Sequence, residues 1–256
     1  MKTPIVPFRL LKQLVARVIT HPVVGWCVGV MHAERIPFHG RRIDVRGAAI
    51  PNATKAALFW GAYESAEFRF VTKYLSPHLP VIEVGSSIGA ISSVIAGILH
   101  AGNRLTCVEA NPVLISALER NLSQHASHLR VSVVNAAIGS QRGITAFHVS
   151  GNNLVSSLGD PASRGVIDIE CTTLADLVAQ AGGEPWQLVA DIEGAEVEML
   201  ASNPDAWAGC TALIMELHDT RWKDKPVFRA DLTRMICGLG FEIVDTYGAV
   251  VACRRR

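Results

Sequence analysis

Residues 81–112 read VIEVGSSIGAISSVIAGILHAGNRLTCVEANP, and this stretch decides the fold. VIEVG (81–85) is a short apolar run ended by glycine and predicts a buried strand. AISSVIAGILHAG follows as a helix, and RLTCVEA (104–110) as a second strand. NPVLISALERNLSQHA then predicts a second helix, opened by Asn111-Pro112. Strand, helix, strand is a parallel βαβ unit. The alternation continues outward with VSVVNAAIG (131–139) as a third strand, a helix in CTTLADLVAQAG starting at a Thr cap, and strands in WQLVADIE (186–193) and TALIMELH (211–218). ADLTRMICGLG predicts a helix ending at glycine, and FEIVDTYGAVVACRR two strands around Tyr247-Gly248. The expected fold is α/β, a doubly wound, mostly parallel sheet with an antiparallel strand supplied by the last hairpin. Residues 80–256 form its core, and residues 1–79 an appended helical or mixed cap that shapes the substrate region.

The 256 residues are 49% hydrophobic and 18% charged, with a formal net charge of +1. Such a chain buries a sizeable core, and no global field draws it to nucleic acid. The six cysteines contain no CxxC pair, which predicts reduced thiols in a cytoplasmic protein and no zinc cluster. RLLKQLVARVI (9–19) has amphipathic helical spacing, and PVVGWCVGVM (22–31) is an apolar run too short to span a bilayer. Packing on the domain and peripheral contact with a membrane both remain open for this segment, as does a homodimer.

In such folds ligands sit at the carboxyl ends of the strands. The first strand ends in Glu83, Gly85, Ser86, Ser87 and Gly89, where glycine permits close approach and the next helix offers free N–H groups. The loop lacks GxGxxG, which weakens an NAD(P)-dependent oxidoreductase reading. Glu109, twenty positions after Gly89, ends the second strand, followed by Ala110 and Asn111. A carboxylate there suits the two hydroxyls of a ribose. Asn135 and Ala136 end the third strand, where a small polar residue can meet an adenine ring.

ExGxxxG, VEANP, NAAIG, DIEGAE and MELH together resemble the FkbM family of S-adenosylmethionine-dependent methyltransferases, over roughly residues 60–252. The resemblance implies a seven-stranded sheet with an antiparallel last strand. It also implies Gly85, Ser86 and Gly89 at the cofactor's amino-acid end, Glu109 on its ribose, and Tyr63-Glu64 closing over it. Two departures stand out: Glu83 and Ser87 replace the family's usual Asp and Asn, and Val189 stands where the family usually has lysine.

Asp191 and Glu193 project to one side of a strand end, and Glu216 and His218 do the same on the next strand. Two chemistries fit. In one, His218 is a general base beside orienting acids; in the other, Asp191, Glu216 and His218 hold Mg²⁺ or Mn²⁺. Glu196 reads as an acid favoured by the next helix's dipole. The reaction implied is O-methylation of a small-molecule or glycan hydroxyl, with a non-catalytic cofactor-binding module as the alternative that Val189 supports.

Overall fold

The computed structural model describes residues 19–47, 50–149, 165–182, 185–201 and 204–256. Most of the amphipathic stretch 9–19 and of the polar segment 150–165 lies outside them. The chain opens with α1 (Pro22–Met31), a hairpin of β1 (Arg35–Phe38) and β2 (Arg41–Asp44), then α2 (Asn52–Phe59) and α3 (Ser65–Tyr74). The alternating core follows: β3 (Val81–Val84), α4 (Ala90–Ala96), β4 (Arg104–Glu109), α5 (Pro112–His125) and β5 (Arg130–Asn135). Next come β6 (Ala137–Ile138), β7 (Gly143–Val149), β8 (Gly165–Thr172), α6 (Leu174–Ala181), β9 (Trp186–Ala190) and α7 (Glu196–Ala201). The chain ends with β10 (Cys210–Glu216), β11 (Thr220–Trp222), β12 (Lys225–Val227), α8 (Arg229–Gly238), β13 (Phe241–Tyr247) and β14 (Val250–Arg255).

Seven strands form one sheet in the order β13-β14-β10-β9-β3-β4-β5. β14 runs antiparallel to both of its neighbours, and the remaining pairs are parallel. The chain runs from β3 outward through β4 to β5, then returns to β9 on the other side of β3. The switch point therefore lies between β3 and β9, where a crevice opens beyond the strand ends. Both strands are buried along their whole length, including Glu83 and Gln187 among their apolar residues.

The expected third strand, 131–139, divides in two. β5 stays in the main sheet, whereas β6 leaves it after Ala136 and pairs with β8 in a separate three-stranded sheet with β7. Apolar periodicity alone could not place this break, because both pieces keep a strand's alternation. Helix starts follow local chemistry. Asn111 accepts the Val113 N–H at 3.1 Å ahead of Pro112, and Thr173 forms a capping box with Asp176.

Residues from the first 79 do not build a separate core. Val28, Ile36, Phe38, Ile43, Phe70 and Val71 share one hydrophobic cluster with Val81, Cys107, Val189 and Ile214 from the sheet. The opposite sheet face packs Leu188, Ala190, Leu213 and Met215 against Leu177, Val197 and Leu232 of the helices.

Candidate active site

At the end of β3 the backbone turns sharply. Gly85 has φ +85°, and a Cβ there would lie 1.7 Å from the Asp191 carbonyl oxygen at the end of β9. Only glycine lets the two strand ends approach this closely. Ser87 follows at φ +50°, and its N–H donates to Glu109 Oε2 at 2.7 Å, while the Asn111 N–H donates to Glu109 Oε1 at 2.7 Å. Two backbone donors thus fix the carboxylate and leave lone pairs for further hydroxyl donors. Burial raises the Glu109 pKa, against the pull of these N–H groups.

A cleft partly open to solvent lies over these strand ends. Val108, Leu114, Ile138 and Phe147 wall one side, and Glu64, Asp191 and Glu193 line the other. Three of its residues, Glu64, Ser87 and Glu193, have positive φ (42°, 50° and 47°), a conformation that costs energy for non-glycine residues and concentrates at working sites.

Beside this cleft, β10 delivers Glu216 and His218. The His218 Nδ1 lies 2.5 Å from Oε1 of Glu196, which is fully buried in the first turn of α7. The other ring nitrogen, Nε2, lies 3.6 Å from Glu193 and 3.9 Å from Glu216. Burial alone would lower the His218 pKa. The hydrogen bond and charge of Glu196, with Asp191 and Glu193, outweigh it and hold the imidazole at about 9. The surrounding acids respond in the opposite direction. Burial, then the charges of Glu216 and Glu193, push Asp191 well up, and its Oδ1 is buried without a hydrogen-bond partner. Glu64 is raised by burial and by Asp191. Glu67, hydrogen-bonded to Glu216, rises to about 7 through burial first and the Glu216 charge second.

Of the residues expected from sequence, Glu64, Gly85, Ser87, Glu109, Ala110, Ala136, Asp191 and Glu193 line the cleft. Five others sit behind it. Glu83 is buried against Ser92 and Cys107, and the Ser86 hydroxyl donates to the Glu83 carbonyl. Gly89 packs on Leu118, and Asn111 caps α5. Asn135 donates to the carbonyls of Glu109 and Ala110 and so holds the loop after β4. The metal-compatible group also differs from expectation. Asp191, Glu193 and His218 offer ligand atoms within 4.8 Å of one another, with Glu193 in the place foreseen for Glu216.

Glu196 stands in the first turn of α7, as its sequence position suggests, and in addition touches the imidazole directly. Glu67 had no assignment. Both carried a legible signal: Glu67 shares the apolar face of α3 with Phe70 and Val71, and Glu196 that of α7 with Met199 and Leu200. An acid at spacing i, i+3, i+4 with buried residues is itself buried, and a buried acid needs a partner or a task.

The donor set fits S-adenosylmethionine. A fixed carboxylate suits the ribose diol, the apolar wall suits adenine, and the acids with the unpartnered Asp191 oxygen suit the sulfonium and ammonium charges. The strand order and this site define a class I, S-adenosylmethionine-dependent methyltransferase. Residues 83–243 match the family model described as the methyltransferase FkbM domain, and the chain belongs to that family.

Similar solved structures include a ribosomal protein L11 methylase from Lactobacillus delbrueckii subsp. bulgaricus (11% identity, 76% of this chain and 80% of that chain, TM-score 0.44). Magnesium protoporphyrin IX methyltransferase from Synechocystis PCC 6803, with bound SAM, shares 12% identity over 75% of this chain and 77% of that chain (TM-score 0.44). Aeropyrum pernix fibrillarin, with natively bound S-adenosyl-L-methionine, shares 12% over 87% and 83% (TM-score 0.45). No curated protein sequence matches the chain.

Proposed function

We propose that the protein transfers a methyl group to a hydroxyl of a sugar, in a polysaccharide, a glycolipid or a glycosylated metabolite, with His218 as the general base. The observation that carries this reading is the imidazole itself: Nδ1 is held by buried Glu196, while Nε2 faces Glu193 and Glu216 beside the cleft. S-adenosylmethionine, when bound, supplies an electrophilic methyl group on a cationic sulfur. Glu109 and the Ser87 loop hold the nucleoside end, and the acids beyond β9 hold the cationic end. The Nε2 atom takes the proton of the acceptor hydroxyl, a role worth about 10²–10⁴-fold. Glu193 and Glu216 accept hydrogen bonds from neighbouring hydroxyls and so align the reacting one. Alignment is the larger contribution, on the order of 7–11 kcal/mol. A polyhydroxylated acceptor suits this arrangement, because each carboxylate can accept more than one hydroxyl donor.

The Asp191, Glu193 and His218 group favours a second reading, in which a divalent cation lowers the acceptor's pKa. Methyl transfer from labelled S-adenosylmethionine to a panel of glycans, with and without EDTA, separates the two. The base reading expects activity unaffected by EDTA and lost in His218→Ala with cofactor affinity retained. Full activity in His218→Ala removes the base. Loss with EDTA, restored by Mg²⁺ or Mn²⁺, transfers the role to a metal. Cofactor binding with no acceptor methylated in any class favours a binding module.

A further inference from the structure

Helix α1 is turned inside out. Its sequence, PVVGWCVGVM, contains no charged residue. Gly25 and Gly29, with Val28, face the protein. A Cβ at Gly25 would lie 1.6 Å from the Asn52 carbonyl oxygen, and one at Gly29 would lie 2.5 Å from Glu34 Oε1. These glycines let α1 press its backbone onto its neighbours, and the large side chains are left outside. Val23 is 61% exposed, Trp26 59%, Val30 62% and Met31 78%. Their spacing of i, i+3, i+7 and i+8 places them on one stripe, joined by exposed Cys27 at i+4. A helix on the surface of a water-soluble domain carries polar residues there. The patch extends past the end of α1. His32 meets Phe59 at 5.6 Å between ring centroids and Phe59 meets Trp60 at 5.0 Å; Trp60 is 51% exposed. Contiguous exposed apolar surface of this kind marks an interface.

The charge of the adjoining sequence selects the partner. Before Glu34 the chain holds Lys2, Arg9, Lys12 and Arg17 and not one Asp or Glu. In the sequence, four cations and no acid precede the apolar stripe, a composition that complements a surface anionic outside and hydrocarbon beneath. Tryptophan is the side chain best suited to that boundary. Ten residues are too few to cross a bilayer, and among the described residues no helix is long and apolar enough to do so. We propose that the outer face of α1, with Trp60, docks on an anionic lipid surface. Glu64 lines the cleft four residues beyond Trp60, so at most about 14 Å of chain separates the docked face from the site. The docking surface stands whatever the acceptor proves to be.

The test uses the full chain with sedimenting vesicles of phosphatidylcholine alone, or mixed with phosphatidylglycerol. The expected result is binding to the mixed vesicles that weakens as salt is added, with tryptophan fluorescence quenched by brominated acyl chains. Trp26→Ser combined with Val30→Ser lowers the partition coefficient about tenfold or more, with melting temperature and S-adenosylmethionine affinity unchanged. Three results overturn the proposal. One is no binding to mixed vesicles at low salt; another is undiminished binding by the double variant. The third is a dimer, seen by light scattering, that the same substitutions dissociate, which assigns the face to a second copy of the chain.

Discussion

His218 takes its charge state from Glu196. The buried carboxylate fixes which ring nitrogen carries the hydrogen toward it and leaves Nε2 toward the acceptor, the division of labour seen wherever a carboxylate orients a catalytic imidazole. Because the free protein holds this imidazole at about 9, the neutral base is scarce at pH 7. Methyl transfer measured as kcat/KM is expected to rise with pH from 7 through about 9 and to level off only about one unit above that. In Glu196→Gln the main cause raising the pKa is gone while burial still lowers it. The midpoint should then move down, with Asp191 and Glu193 still holding part of the shift, and the plateau should fall about a hundredfold or more as the ring loses its orientation. A Glu196→Gln profile still turning near pH 9 would show that another group sets it. At this scale the sequence was legible for Asp191, Glu193, Glu216 and His218 as neighbours at two strand ends, but not for the expected reason: Asp191 and Glu193 lie beyond β9, with Glu193 at φ +47°, so strand alternation does not set their side. The Glu196–His218 pairing was not legible, since it joins residues 22 apart through the packing of α7 on the sheet.

Two strands meet closely where β3 and β9 end. Gly85 at φ +85° under the Asp191 carbonyl makes this crossing intolerant of any side chain. An alanine in the left-handed region costs about 1–2 kcal/mol before the collision is counted. Gly85→Ala should therefore lower the melting temperature and, by displacing Asp191 and the Ser87 loop, weaken S-adenosylmethionine binding at least about tenfold. Calorimetry showing an unchanged Kd would place the cofactor elsewhere.

The same strand pair shows what surrounds Val189, where the family resemblance leads one to expect lysine. Val189 is the register partner of Glu83, on the sheet face that also carries Cys107 and Ile214. With an aliphatic neighbour in place of a cation, Glu83 is raised to about 7, chiefly by burial, although Ser92 and Cys107 donate to it. A carboxyl already half neutral at pH 7 loses little when made an amide. Glu83→Gln is expected to keep cofactor affinity within about threefold, with a melting temperature at pH 8 equal to or above that of the unaltered protein. A large loss in both would mean that the Glu83 charge is needed.

Across the whole molecule, the cleft concentrates carboxyl groups whose pKa values folding raises. Glu67 moves from 4.5 to about 7, and Glu64 and Asp191 also move well up. A group with a raised folded pKa binds more protons folded than unfolded between the two values, so stability falls as pH rises through that window. His218, raised from 6.5 to about 9, acts in the same direction at higher pH. The melting temperature without cofactor is thus expected to decline steadily from pH 5 to pH 8. S-adenosylmethionine should offset the decline, since its positive charges compensate the ionised acids. A ligand at a hundred times its Kd adds about 2.7 kcal/mol in any case, and the increment here should grow with pH. A flat or rising profile without ligand would contradict the shifts assigned to these acids.

The sequence by itself determined the alternation of strands and helices, the closing hairpin, the glycine turn after β3 and the acid at the end of β4. Each of these is written in local spacing, backbone freedom or turn chemistry, which act over a few residues. Tertiary structure alone decided the departure of β6 from the main sheet, the retreat of Glu83 and Asn111 behind the cleft, the partners that buried Glu67 and Glu196 meet, and the outward face of α1. In each case the outcome depends on which distant surface a side chain meets. The cost of burying a charge or exposing an apolar face is set by that neighbour, not by the residue.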